Sequence, residues 1–520
     1  MDKYVYSILE RRYFKNGEKT WDDLVERVSS NVATNNSERQ DYTFLLKDFW
    51  FLPNTPTLSN AGLDKGQLSA CFVLPVGDSM EEIFDSLKLM ALIHKTGGGT
   101  GFCLSNVREA GSPVGGTKGI ASGPLSFLEI FDVATEQIKQ GGIRRGANIA
   151  VIRIDHPDID DFISVKLNRK KFNNFNFSVM VSDKFMRALE EDGDWKLVSP
   201  YNGSVKKVVR ARELWRRLIH NAWECGEPGV LFFDTINKTH TLNKAGVIEA
   251  TNPCGEQPLM FYESCNLGSI NLMKFVNEVG EFDFNLFRDV IFKAVRFLDN
   301  VIDVNYFVDK RIEKNTKASR KVGLGVMGLA DMLVLMKLKY GSKECLEFLD
   351  KLFKEFSNTA WRASYEIARI KGGFDLSDSF VKNLDFQLNG SRNATLTTIA
   401  PTGSISILAG VSSGIEPLFK LRYVRRDSFG EREITHPLLN KIDYDTYKEF
   451  LLTYKDITPE QHLAVQAVIQ KYIDNAVSKT VNLPYNCSVD TVNDIYVSAW
   501  KLGCKGITVF REGARRGVIS

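Results

Sequence analysis

The sequence predicts an α/β fold, and three observations carry the prediction. Strand-like segments at 69–74, 176–181 and 394–400 alternate with stretches of helical apolar spacing. Several of these strands run into Gly, Pro or Ser, so loops gather at strand ends as in α/β enzymes. No simple repeat, low-complexity linker or heptad pattern offers another architecture.

Taken in order, Leu45, Leu46, Phe49 and Leu52 fall at helical spacing, with Pro53 expected to end the run. The polar loop Asn54 to Gly62 leads to the strand candidate Ser69 to Leu74, bounded by Pro75. Asp78 or Ser79 can cap a helix over Ile83 to Ile93. Glycines then crowd the chain at Gly97, Gly98, Gly99 and Gly101, at Gly111 to Gly123, and again from Gly141 to Asn148. A helix carrying Phe127, Ile130, Phe131 and Ala134 separates the last two groups. Such stretches cost much chain entropy and are expected outside the core, either as surface loops or as backbone cradles for an anion. Interleaved Arg and Lys favour the cradle. Helices are expected over 213–225 and 346–367, and a β-branched strand over Ala394 to Ala400. Gly323-Leu324-Gly325-Val326-Met327-Gly328 fits a dinucleotide-binding pattern, but Thr316 to Lys321 before it is no strand; a closely packed helix is the better reading. Weak boundaries fall near 60–68, 250–266 and 370–393.

The 520 residues carry 67 basic and 64 acidic side chains, a balance that excludes the strong bias of a nucleic-acid or membrane binder. There is no run of eighteen apolar residues and no secretory leader, so a cytoplasmic chain is expected. The 34 Phe far outnumber the six His, which leaves little imidazole for catalysis or metal binding. Among the eight Cys no two form a CxxC pair.

Thr251-Asn252-Pro253-Cys254-Gly255-Glu256-Gln257-Pro258 is the most unusual segment, with prolines and a glycine fencing a thiol, an amide and a carboxylate. In extended backbone Cys254 and Glu256 point the same way, which would set a proton acceptor beside a redox-capable sulfur. The plain alternative is an inert buried cysteine. Pro401-Thr402-Gly403-Ser404-Ile405-Ser406 follows a strand and offers hydroxyls and N–H groups, either as a phosphate cradle or as an N-capping turn.

These segments, with Asn54 to Leu58, Ser69 to Cys71, Gly141 to Asn148, Glu263 to Ser269 and Gly503 to Thr508, resemble the catalytic chain of ribonucleotide reductases, specifically the adenosylcobalamin-dependent class II. The resemblance covers roughly residues 45 to 515. It implies a ten-stranded α/β barrel of two five-stranded parallel halves. A helical region would occupy 1–68, the barrel 69–520, and a finger loop the stretch near 250–265. No N-terminal ATP cone and no C-terminal cysteine-pair tail are expected.

By the same resemblance Cys254 is the thiyl-radical cysteine, Glu256 the general base and Asn252 the orienting amide. Cys71 and Cys265 form the redox pair. Thr57, Ser69, Ala70, Gly99, Pro401, Thr402, Gly403, Ser404 and Ile405 correspond to substrate contacts. Asp78, Ser79, Met80, Arg108 and Lys118 correspond to contacts with a nucleotide effector. Gly142, Ile143, Arg144, Arg145, Gly146, Ala147 and Asn148 correspond to the loop that relays effector identity. The implied ligands are a ribonucleotide, with diphosphate favoured, adenosylcobalamin, and dNTP or ATP effectors with Mg2+. The implied partners are a thioredoxin- or glutaredoxin-like dithiol and a second copy of the chain, with no polymeric nucleic acid and no membrane. No residue is assigned to the corrin or to a protein-bound metal. The alternatives are a class I large subunit, which the absence of any Tyr-Tyr pair disfavours, and a silent nucleotide-binding regulator, which would not need all five catalytic side chains.

Overall fold

The computed structural model describes residues 3–115, 119–138, 146–168, 171–382, 390–427 and 430–514. The chain opens with helices Lys3–Arg12, Trp21–Val32 and Asn36–Lys47. Thr20 starts the second through a capping box with Asp23, and the Asn35 side chain caps the third. Leu24, Val28, Tyr42, Leu45 and Leu46 are buried and belong to the same core as the later 21-residue helix Phe284–Val304.

The helical spacing over 45–52 breaks earlier than expected. The helix ends at Lys47, Phe49 turns at φ 58°, and Phe51–Pro53 forms a short strand, β1. Its antiparallel partner is Gly268 to Ile270, so a long-range pairing overrides the local period.

The other strands of the main sheet are β2 (Cys71–Pro75), β3 (Gly99–Cys103), β4 (Asn148–Arg153), β5 (Phe175–Val181), β6 (Gly229–Phe232), β7 (Glu263–Asn271), β8 (Val322–Met327), β9 (Thr480–Leu483) and β10 (Gly506–Arg511). From β2 to β6 each strand runs parallel to the next. β6 meets β10 antiparallel and β10 runs parallel to β9. On the other side β2 meets β7 antiparallel, and β7 runs parallel to β8. The expected strand Ala394 to Ala400 is extended and makes isolated parallel bridges, Thr397 with Leu324 and Ile399 with Val477.

Strand alternation divides the core. Phe72 and Leu74 of β2 and Ala150 and Ile152 of β4 pack with helices such as Met80–Lys95 and Ala211–Cys225. Cys71, Val73, Ile149 and Val151 face the other way and join a smaller cluster with Ala250, Leu259 and Cys265. Strands buried on both faces read as continuous apolar runs.

Two glycine readings are corrected. Gly99 and Gly101 lie within β3, not outside the core; a Cβ on Gly101 would stand 1.6 Å from the Thr251 carbonyl oxygen, and one on Gly99 2.9 Å from Pro253 Cγ. What their bare backbone admits there is the chain's own 250–259 segment. Likewise Val322 to Met327 is a buried strand and not a helix, with a helix only from Leu329 to Leu335. Gly323 and Gly325 sit inside that strand, where a Cβ would meet Gln257 Nε2 at 2.4 Å and Thr398 O at 2.5 Å. They serve close packing rather than a phosphate turn. No helix among the described residues is long and apolar enough to cross a membrane.

Candidate active site

Ala250–Thr251 pairs antiparallel with Pro258–Leu259, so the 250–259 segment is a hairpin, and it packs against β2, β3 and β4. Its tip is a turn, not the extended backbone expected. Gly255 N–H donates to Asn252 O at 3.0 Å, Asn252 N–H to Gln257 O at 3.2 Å, and Gly255 adopts φ 80°. Only glycine takes that conformation without strain. The turn separates the two reactive groups by environment: Cys254 is exposed at the tip, whereas Glu256 and Asn252 are buried. All three nevertheless line one cavity of about 270 Å³.

Cys71 and Cys265 are direct cross-strand partners where β2 meets β7, although far apart in sequence. The opposed positions of an antiparallel pair fall within the Cα separation a disulfide requires. The two thiols differ. Cys71 lines the cavity, and its sulfur accepts a 3.1 Å hydrogen bond from Asn252 Nδ2. That amide is oriented by Gln257 N–H, which donates to Asn252 Oδ1 at 2.9 Å. Cys265 is fully buried, its Sγ within hydrogen-bond reach of Asn266 O and Lys321 O. Burial pushes the Cys265 thiol well up; Lys321 opposes this, while Glu263 and Glu256 add to it. Lys321 is itself held by Glu263 at 2.6 Å in a fully buried ion pair.

Among the expected substrate contacts, Ala70, Gly99, Pro401, Thr402, Gly403, Ser404 and Ile405 line the cavity. Thr57 and Ser69 stand behind its wall. The buried Thr57 hydroxyl donates to Leu68 O at 3.0 Å, and Ser69 Oγ meets Ser264 Oγ at 3.3 Å. Asn54 and Thr55, quoted in the same sequence motif but given no role, do line it. Asn54 is fixed there by bonds to Leu68 O and from Leu267 N–H, both 2.8 Å. Thr402 adopts φ 56°, rare for a β-branched residue, and its hydroxyl accepts from Gly414 N–H at 2.7 Å. Such strain clusters at ligand clamps. The short helix Ile405–Ala409 follows, with no side-chain cap from Ser404.

A second cavity, about 490 Å³, shares Pro253, Cys254, Pro401 and Gly403 with the first. Cys254 therefore forms part of both walls. Asn176, Ser178, Glu416, Lys479 and Thr508 supply polar groups on the larger side. Lys479 Nζ bonds Glu416 Oε2 at 2.5 Å and His462 Nδ1 at 2.9 Å. Asn176 and Ser178 fell in an expected strand and Thr508 in the Gly503 to Thr508 motif, but none of the five was given a site role, because they come together only through strand pairing. Among the described residues no group of three or more His, Cys, Asp or Glu could hold a metal ion.

The expected effector residues form a separate cluster. Arg108 donates to Asp78 from both its backbone N–H and its guanidinium, at 2.8 Å each, and the guanidinium lies 4.4 Å from the Tyr201 ring centroid. Ser79 caps the helix Met80–Lys95 by accepting from Glu82 N–H, and Met80 is exposed. Lys118, Gly142, Ile143, Arg144 and Arg145 lie outside the described residues. Of the rest of that loop, Ala147 reaches the first cavity, while Asn148 is buried on β4. Asn148 Nδ2 donates to Thr135 Oγ1 at 2.9 Å, and Asn148 Oδ1 accepts from Thr100 Oγ1 at 2.6 Å.

A cavity walled by two cysteines, a carboxylate and an amide, with a third cysteine paired to one of them across the strands behind, is that of a cysteine-based oxidoreductase. The chain belongs to the ribonucleotide reductase family. The model of its all-alpha domain matches residues 2–66, and that of its barrel domain matches 69–384 and 383–510. The fold is accordingly an α/β barrel preceded by an all-helical domain. A vitamin B12-dependent ribonucleoside-diphosphate reductase of Thermoplasma acidophilum is 42% identical, over 96% of this chain and 68% of that protein. One of Mycobacterium tuberculosis with the same description is 38% identical, over 99% and 80%. A ribonucleoside-diphosphate reductase subunit alpha of Helicobacter pylori is 30% identical, over 93% and 76%.

Proposed function

We propose that this chain reduces ribonucleotides, as diphosphates, to 2′-deoxyribonucleotides in an adenosylcobalamin-dependent, class II reaction. The observation that carries the reading is the position of Cys254 in the walls of both cavities, with Cys71, Asn252 and Glu256 in one of them. The B12-dependent relatives of Thermoplasma acidophilum and Mycobacterium tuberculosis match at 42% and 38% identity, above the 30% of the subunit alpha, which supports class II over class I.

The smaller cavity suits the nucleotide. The left-handed Thr402 and the start of the helix at Ile405 turn main-chain N–H groups toward a phosphate, as backbone nests do. The larger cavity lies within the ~300–1,000 Å³ of small-molecule sites and offers Cys254 a second approach, which fits the adenosyl end of the cofactor. Ser178, Glu416 and Thr508 would hold it. When bound, adenosylcobalamin supplies the one-electron chemistry that a strong ribose C–H bond demands.

The protein's part follows from the residues. Cys254 Sγ, as a thiyl, takes the 3′ hydrogen and later returns it. The Glu256 carboxylate accepts the 3′-hydroxyl proton. The 2′-hydroxyl leaves as water with a proton from the Cys71/Cys265 pair. The pair then gives a hydrogen atom to C2′ and one electron to the 3′ centre, whose oxygen regains its proton from Glu256, and closes to a disulfide. Asn252, already donating to Cys71, would keep that thiol aimed into the cavity. An external dithiol then reopens the disulfide.

The reading extends to architecture and control. The parallel registers on either side of the β2–β7 and β6–β10 joints, with the bridges through Thr397 and Ile399, support a ten-stranded ring in two five-stranded halves. We place its helical preface at 1–68 and its finger at 250–265. An effector nucleotide with Mg2+ would bind by Asp78, Ser79 and Arg108. Asn148, tied to Thr135 of the helix Pro124–Gln137, links that helix to Ala147 in the cavity wall. A homodimer through these helices completes the proposal.

The test is anaerobic incubation with ribonucleoside diphosphate, dithiol and adenosylcobalamin, with deoxyribonucleotide as readout. Wild type should turn over without a second protein. Cys254→Ser should lose all turnover while nucleotide Kd stays within about twofold. Turnover by that variant, or wild-type dependence on an added radical-generating subunit, would refute the reading.

A further inference from the structure

Asn176 lies on β5 between Phe175 and Phe177, whose rings are buried in the outer core. Alternation turns the Asn176 side chain the other way, into the larger cavity, where it is exposed. Its Nδ2 donates at 2.8 Å to the carbonyl oxygen of Pro253, the peptide group that carries the Cys254 nitrogen. The other side of the tip is tied from different strands. Glu256 O accepts from Thr398 Oγ1 at 2.8 Å and from Ala476 N–H at 3.0 Å. Between these ties the space beside the Gly255 Cα is open, since a Cβ there would meet nothing within 4 Å.

We infer that Asn176 and Thr398 are positioning residues that suspend Cys254 between the two cavities, Asn176 from one side of the hairpin tip and Thr398 from the other. The inference rests on the proposed radical role of Cys254. A sulfur that must meet one partner in each cavity tolerates little displacement. A misplacement of about 1 Å can cost on the order of 100-fold in rate. Neither residue touches the reacting atoms; each acts through a carbonyl that fixes the turn. The amide of Asn176 is well suited, since it reaches the tip from a rigid strand at no cost in core packing.

The experiment compares Asn176→Asp, which keeps the shape but puts a carboxylate against the carbonyl, with Thr398→Val, which removes the hydroxyl from a buried site. In each, kcat should fall about tenfold to 100-fold while nucleotide KM stays within about twofold. A second readout needs no cofactor: the rate at which iodoacetamide alkylates Cys254, located by peptide mass mapping. That rate should change severalfold in both variants, with the thermal midpoint of Asn176→Asp unchanged. Wild-type kcat and alkylation in both variants overturns the inference, as does a loss confined to KM. If Cys254→Ser is dead while Asn176→Asp and Thr398→Val behave as wild type, only the suspension is wrong. If Cys254→Ser turns over, the proposed function itself falls.

Discussion

Lys505 illustrates how a single buried charge shapes the protein. It belongs to the Gly503 to Thr508 segment, is almost fully buried, and its ammonium donates to Asp474 O at 2.6 Å. Burial lowers its pKa from 10.5 to about 7, with Asp474 opposing and Lys382 adding to the fall. Between about pH 7 and 10.5 the unfolded chain therefore binds the extra proton, so this residue's contribution to stability rises with pH across that window. The expected outcome is a stability gap between wild type and Lys505→Met that widens in favour of wild type from pH 7 to 9. The slope should be at most about 1.4 kcal/mol per pH unit. Denaturant midpoints at the two pH values measure it, and a constant gap would show that Lys505 stays charged when folded.

At the scale of elements, the hairpin explains the two glycines of β3, Gly99 and Gly101, better than a ligand does. A Cβ on Gly101 has no room against Thr251 O, whereas Gly115 faces open space. Gly101→Ala should displace the hairpin, cutting kcat by at least about 100-fold and lowering the thermal midpoint by several degrees. Gly115→Ala should do neither, and equal behaviour of the two would discount the close approach. The sequence made the glycine runs conspicuous but could not say what approached them, because the partner lies some 150 positions downstream. Local signals were legible where local physics decides: the Ser79 cap, the helix ending at Cys225, and the strand at Phe175–Val181. They misled where tertiary pairing decides, as at Phe51–Pro53 and at the buried strand Val322–Met327. Cys71, Asn252, Cys254, Glu256 and Cys265 were nameable because their motifs are long and ordered. Asn176, Glu416 and Lys479 carry no motif and emerge only when separate strands line one cavity.

Across the whole molecule, the helices Met80–Lys95 and Pro124–Gln137 pack on each other yet leave Phe84, Ile130 and Val133 exposed, Val133 by 62%. Apolar side chains grouped on neighbouring helices suit a two-fold interface. In the proposed homodimer, Phe84→Asp combined with Val133→Asp should weaken association at least tenfold by sedimentation velocity. An unchanged profile would place the contact elsewhere. Cys71 and Cys265 sit at another junction, where β2 begins one parallel run of strands and β7 another. Electron storage at that seam has a mechanical side. In the proposed cycle each turnover fastens a clasp across the seam and each re-reduction releases it. The protein ready to react is then the looser of its two forms, and a spent one stays buckled until a reductant undoes it.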